Sequence, residues 1–109
     1  MPVGFPIETD VAVALYRISQ ESLRNAISHG AATQIIIEAK ITTTTIELSI
    51  KDNGCGFEAA SVRSSGLGLS GMAERMKNVG GALNIVSHPG KGTTVTASIP
   101  IVKIMKAAK

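Results

Sequence analysis

The spacing of apolar positions alternates along this chain between a helical period and a strand period. From Val11 to His29, Leu15, Ile18, Ser22 and Ala26 recur at helical spacing, and Leu23 and Ile27 widen the stripe. Thr9 or Asp10 is placed to cap the start and Gly30 the end, which predicts a helix over 11–29. "TQIIIEAKI" and "TIELSIKD" then alternate with period two around "TTTT", the pattern of a hairpin. "GLSGMAERMKNVGG" returns to helical spacing and stops at Gly80 and Gly81. "ALNIVSHPGKGTTVTASIP" reads as two strands joined by a Pro-Gly-Lys-Gly turn. Helix, strand, strand, glycine-rich loop, helix, strand, strand is not the alternation of a doubly wound parallel sheet. It predicts an α+β fold in which helices cover one face of a mostly antiparallel sheet.

Strand phase gives the first chemical signal. Ile46, Leu48 and Ile50 share a face, and alternation places Asp52 on it; Thr93 is likewise in phase with Val95, Ala97 and Ile99. Both polar residues thus stand at strand ends on the covered side. A carboxylate there is costly without donors. Two readings fit: Asp52 bonds amides of the Asn-Gly turn that follows it, or Asp52 and Thr93 bind the polar edge of a flat ligand.

Two glycine clusters flank a short loop, "DNGCGF" (52–57) and "GLGLSG" (66–71). The second matches G-x-G-x-x-G through Gly66, Gly68 and Gly71, but "EAASVRSS" before it is a loop and no acid follows Glu74, so the dinucleotide fingerprint fails. No Walker A loop occurs. What remains is a helix opened by glycines. It either offers free N–H groups to phosphate or packs tightly on the sheet. On the first helix, Arg17, Glu21, Arg24, Asn25 and Ser28 form a polar stripe beside the apolar one. Glu21 and Asn25, at i and i+4, can face one ligand and hold a cation or position a proton, or the stripe is simply solvated.

Composition narrows the classes. The 109 residues suit one domain, 44% hydrophobic and 17% charged, with a core that is aliphatic because aromatics are 3%. One cysteine excludes an internal disulfide. No apolar run reaches the ~20 residues of a membrane span. The opening "MPVGFP" reads as a loop or the end of a linker. The net charge is +3, with all eight acids at or before Glu74 and a basic remainder that includes Arg75, Lys77, Lys91 and Lys103. Sparse aromatics make this a solvated surface rather than a nucleic-acid footprint.

"QESLRNAISHG", "DNGCGF", "GLGLSGMAERM" and "GKGTTVTASIP" together resemble the N box and three glycine boxes of the ATP-binding catalytic domain of sensor histidine kinases. These belong to the GHKL superfamily with its Bergerat α/β two-layer sandwich and mixed sheet. The resemblance spans about Asp10 to Pro100, and "GLGLSGMAER" is most similar to kinases that pair with NarL-type response regulators. It implies ATP and Mg²⁺ as ligands. Asp52 would accept the adenine amine, with Thr93 assisting directly or through water. Gly54 and Gly56 would lie against the base. Gly66, Leu67, Gly68, Leu69 and Gly71 would bring amides to the phosphates. Asn25 would ligate Mg²⁺, and Glu21 would serve as base or orienter for the accepting histidine.

The same resemblance implies that residues 1–109 are the catalytic unit of a larger kinase, without its dimerisation and phosphoacceptor domain. Such a unit would not label itself. It would be cytoplasmic, touching neither nucleic acid nor membrane, with the whole kinase compatible with inner-membrane anchoring. The alternative within the superfamily is a nucleotide-dependent switch without kinase output, which the short loop from Glu58 to Ser65 disfavours. Ser28 departs from the pattern, which often has a phosphate-facing Lys there. His29 reads as structural, and His88, in a turn, has no assigned role.

Overall fold

The computed structural model describes residues 9–57 and 69–101. Helix α1 (Thr9–Ser28) is followed by strands β1 (Ile35–Ile41) and β2 (Thr45–Asp52), helix α2 (Leu69–Asn78), and strands β3 (Ala82–Ser87) and β4 (Thr93–Pro100). The sheet order is β1-β2-β4-β3. Each of its three pairings is antiparallel, so the mixed component of the expectation has no counterpart among the described residues.

Both helices lie on one face. Val11, Ala14 and Ile18 of α1 and Met72 and Met76 of α2 pack on Val95, Ala97 and Ile99 of β4, with Ile46, Leu83 and Ile85 at the margin. Ile18, Ile50, Met76, Ile99 and Val11 are the largest fully buried side chains. Burying each contributes roughly 1.5–3 kcal/mol. The register pairs Ile46 with Ile99, Leu48 with Ala97 and Ile50 with Val95, the faces expected from alternation.

Two details of α1 differ from the expectation. Its buried line runs Val11, Ala14, Ile18, Ser22, Ala26, and Leu15 only flanks it. Ile27 is 64% exposed, because one residue beyond Ala26 the helix has turned by about 100° away from the sheet. At the far end Gly30 does not take the left-handed conformation; Ala31 does, at φ 53°, and the Ala32 amide donates to Ala26 O at 2.9 Å. At the near end the helix already runs from Thr9, so Thr9 and Asp10 lie within its first turn rather than capping it.

Strand β1 reaches beyond the helix layer. Its covered-side residues Ile37 and Ile41 are 50% and 60% exposed. The "TTTT" reversal that leads to β2 is held by Thr42 Oγ1, which accepts from the amides of Thr44 (3.1 Å) and Thr45 (2.9 Å).

Candidate functional site

At one end of the sheet the covered face carries a row of polar side chains. Thr93 of β4 stands opposite Asp52 of β2 on one side and Ser87 of β3 on the other. Above this row a cavity of about 250 Å³ opens between α1 and the sheet, with Ile50 and Val95 as its apolar floor. Asp52 and Thr93 close it on the sheet side, Ser22 and Asn25 on the α1 side, and Gly56, Phe57 and Leu69 at the glycine loop. A flat apolar slot with a few convergent polar atoms at one edge suits a flat heteroaromatic ring.

The turn-forming reading of Asp52 is met in the structure. Its Oδ1 accepts the Gly54 amide at 2.8 Å, which fixes the turn. Among the described residues that is the one hydrogen bond its carboxylate makes, and Asp52 also lines the cavity. Asn53 does the remaining work of the turn. Its Oδ1 accepts the amides of Thr33 (2.9 Å) and Gln34 (3.0 Å), and its Nδ2 donates to Thr33 Oγ1 at 3.0 Å. The loop is also stitched to its neighbours through backbone: the Cys55 amide donates to Gly30 O (2.8 Å) and the Gly90 amide to Cys55 O (2.6 Å).

Glycine is required where these loops touch. Gly56 has φ 65°, and a Cβ there would overlap the His88 carbonyl oxygen. A Cβ on Gly54 would stand 2.6 Å from Gly30 O. In the β3–β4 turn, a Cβ on Gly90 (φ 79°) would meet none of the described residues, whereas one on Gly92 (φ 77°) would overlap the Asp52 carbonyl oxygen. The two positions therefore separate strain from overlap. Gly90→Ala should cost about 1 kcal/mol for the left-handed backbone alone. Gly92→Ala should cost at least about 2 kcal/mol more, because the backbone it meets cannot move without breaking the turn that presents Asp52. Chemical denaturation of both variants checks this, and equal losses would refute it.

The polar stripe of α1 is divided. Asn25 lines the cavity above Asp52. Glu21, one turn earlier, instead lines a second cleft between α1 and α2, with Arg17, Arg24, Gly71 and Arg75. Arg24 Nη2 meets Glu21 Oε2 at 2.7 Å. The hydrogen bond to Glu21, then the carboxylate's charge, raises the Arg24 pKa above its ordinary value. Among the described residues nothing stands within 4 Å of a Cβ placed on Gly71, so their packing does not demand glycine there.

The structure thus gathers Asn25, Asp52, Gly56, Leu69 and Thr93 around one cavity, and Gly54 buttresses Asp52 from outside it. Glu21 and Gly71 belong to the neighbouring cleft. Gly66, Leu67 and Gly68 lie outside the described residues. Ser28 is exposed. His29 is exposed and lines the cavity. Sequence reasoning did not find Ser87 or Asn53. The signal for Ser87 was its strand phase, in step with Leu83 and Ile85. Among the described residues no three His, Cys, Asp or Glu side chains cluster as metal ligands.

Residues 10–103 match the model of the family described as histidine kinase-, DNA gyrase B-, and HSP90-like ATPase. The chain is similar to the sensor histidine kinase LiaS of Bacillus subtilis (strain 168), 37% identical over 87 residues, 80% of this chain and 24% of that protein. It is 38% identical over 91 residues to the signal transduction histidine-protein kinase/phosphatase DegS of Brevibacillus brevis, 84% of this chain and again 24% of the relative. It therefore spans about a quarter of the length of these relatives. Among solved structures, the ATP binding domain of PrrB from Mycobacterium tuberculosis superposes with a TM-score of 0.68 at 26% identity, covering 81% of this chain and 67% of that one. The histidine kinase domain of the Erythrobacter litoralis EL346 blue-light activated histidine kinase shares the fold, with a TM-score of 0.72 at 20% identity, over 86% of this chain and 46% of that one.

Proposed function

The chain belongs to the histidine kinase-, DNA gyrase B-, and HSP90-like ATPase family, and from that premise we propose that it is the ATP-binding catalytic domain of a two-component sensor histidine kinase. In this reading residues 1–109 form one catalytic domain of a longer kinase. It moves the γ-phosphoryl group of Mg-ATP to a histidine on a separate dimerisation domain, from which a response regulator is served. It works on the cytoplasmic side.

The observation that carries this reading is the side-by-side placement of Asp52 and Thr93 at the polar end of a cavity floored by Ile50 and Val95. A carboxylate acceptor beside a hydroxyl fits the amine-bearing edge of adenine. The cavity opens toward Leu69, the first described residue of the second glycine cluster. Phosphates leaving the base would pass Asn25 and reach the cleft where Glu21 stands.

The oxygen donors of this cavity fit Mg²⁺ carried in by the nucleotide. That ion takes substrate phosphates, waters and one or two protein oxygens rather than a full protein cage, and Asn25 supplies one amide oxygen. When bound, the ion neutralises phosphate charge. In transfer, the bond from the γ-phosphorus to the bridging oxygen breaks and a bond to the imidazole nitrogen forms. ADP leaves, and Glu21 takes the ring proton. Arg17 and Arg75, which line the same cleft as Glu21, give it a positive lining for the arriving phosphoryl group, while Arg24 is paired with Glu21.

Calorimetric titration of the domain with ADP and with a non-hydrolysable ATP analogue tests the reading. Mg²⁺-dependent binding is expected, and absence of binding to either overturns it. Transfer to a supplied histidine-bearing dimerisation domain then separates a kinase from a nucleotide-driven switch.

Ser28 adds a further expectation. It lies nearly one turn beyond Asn25 on α1 and is exposed. A lysine there can extend toward the phosphate path, so Ser28→Lys should tighten ATP by about fivefold, reduced from a full charge-assisted bond by solvent. Adenosine should be unaffected, and the gain should shrink as salt rises. Equal gains for ATP and adenosine would place residue 28 away from the phosphates.

A further inference from the structure

Ser87 is 5% exposed and makes three short polar contacts. The Phe57 amide donates to its Oγ at 2.9 Å, Gly92 O lies at 3.2 Å, and Thr93 Oγ1 at 2.8 Å. A serine hydroxyl holds one proton and two lone pairs. The Phe57 amide can only donate, and the Gly92 carbonyl can only accept. One proton arrangement satisfies all three contacts: Ser87 accepts from Phe57 and from Thr93, and donates to Gly92. The opposite arrangement, with Ser87 donating to Thr93, leaves the Gly92 contact without a proton in a buried place, where an unmade bond is costly.

We propose that Ser87 is a positioning residue for base selection: it accepts the hydrogen bond that the Thr93 hydroxyl donates, so Thr93 meets the cavity with lone pairs alone. The inference rests on the adenine reading of the cavity. With Asp52 Oδ1 held by the Gly54 amide, the remaining carboxylate oxygen is also an acceptor. The polar edge of the site is then acceptor beside acceptor. It pairs with an exocyclic amine, directly or through a water that donates to Thr93. A base carrying a carbonyl at that position meets acceptors instead. The Phe57 contact ties the same hydroxyl to the end of "DNGCGF", so the position of that segment and base selection share one atom.

The test measures dissociation constants for ADP and for inosine diphosphate, which replaces the amine by a carbonyl, at fixed Mg²⁺. The readout is their ratio, which an unfolded fraction does not change. Ser87→Ala releases the Thr93 proton toward the cavity and should lower the preference for ADP by about fivefold. Ser87→Thr keeps the hydroxyl and should restore the preference even where its melting temperature falls. In a Thr93→Val background, Ser87→Ala should leave the ratio unchanged, because the route through Thr93 is gone. Ser87→Cys keeps the volume with a weak acceptor and reads the same loss should the alanine variant unfold. An unchanged ratio in Ser87→Ala or Ser87→Cys, or an equal change with and without Thr93, overturns the inference. Failure of the unmodified domain to bind ADP at all instead overturns the nucleotide reading itself.

Discussion

Asp52→Asn is expected to leave the domain folded while weakening ADP by about 30- to 1000-fold. The reason is atomic. Asp52 Oδ1 accepts the Gly54 amide at 2.8 Å, and an asparagine Oδ1 keeps that bond. The second oxygen, the one this reading gives to adenine, becomes an NH₂ group. A donor then meets the exocyclic amine of adenine, itself a donor. One ligand donor left unpaired in a closed site, with a carboxylate interaction lost, costs about 2–4 kcal/mol, which is the range stated. Asp52→Ala should lose affinity comparably, but it also removes the acceptor for Gly54 and so should lower the melting temperature. The contrast separates recognition from folding. Inosine diphosphate should bind Asp52→Asn better, relative to ADP, than it binds the unmodified domain. ADP affinity within about threefold of the unmodified domain, measured by calorimetry where such differences are resolved, would remove Asp52 from the base.

The parts of this site that sequence disclosed are those that strand period controls. "TIELSIKD" and the segment from Thr93 to Pro100 became β2 and β4 at the expected bounds. Because side chains alternate strictly, the phase of Ile50 fixes that of Asp52, and the phase of Val95 fixes that of Thr93. That the two stand opposite one another is a matter of register, which pairing reveals and alternation alone does not. Helical spacing was less informative. Four residues separate Glu21 from Asn25 and put them on one side of α1. The rise between them is still enough for one to line the cavity and the other the cleft beside α2. Ile27 shows the same limit, since an apolar residue flanking the buried line need not be covered.

Ser87 and Asn53 were out of reach for a different reason. Their partners are distant in sequence: Phe57 is 30 residues from Ser87, and Thr33 is 20 from Asn53. A serine or asparagine beside a turn has many local uses, and nothing in the local pattern distinguishes a tertiary one. The glycines are intermediate. Two clusters indicated close approach, but the structure decides which approach matters. Gly92 meets the backbone of Asp52 itself, whereas Gly71 meets nothing among the described residues. The demand for glycine at residue 92 is thus part of how Asp52 is presented.

Glu21→Gln should reduce transfer to a supplied histidine-bearing dimerisation domain by about a hundredfold or more, the range for a positioned general base. ADP affinity should stay within a few-fold, because Glu21 lines the cleft beside α2 and not the cavity that carries Asp52 and Thr93. A competing account is that Glu21 matters only as the partner of Arg24, 2.7 Å away. Arg24 is 54% exposed at its side chain, and surface pairs of this kind contribute little to stability. Arg24→Ala therefore discriminates. It leaves the carboxylate in place and unties it, so transfer should persist at a comparable rate if Glu21 receives the imidazole proton. If pairing were the whole role, Arg24→Ala would reproduce the loss seen in Glu21→Gln. Rates are best read in single turnover with labelled ATP, so that nucleotide exchange does not mask the step. Glu21→Gln transferring at the unmodified rate would end the base assignment. Matched losses in the two variants would move Glu21 from proton transfer to charge pairing in the cleft.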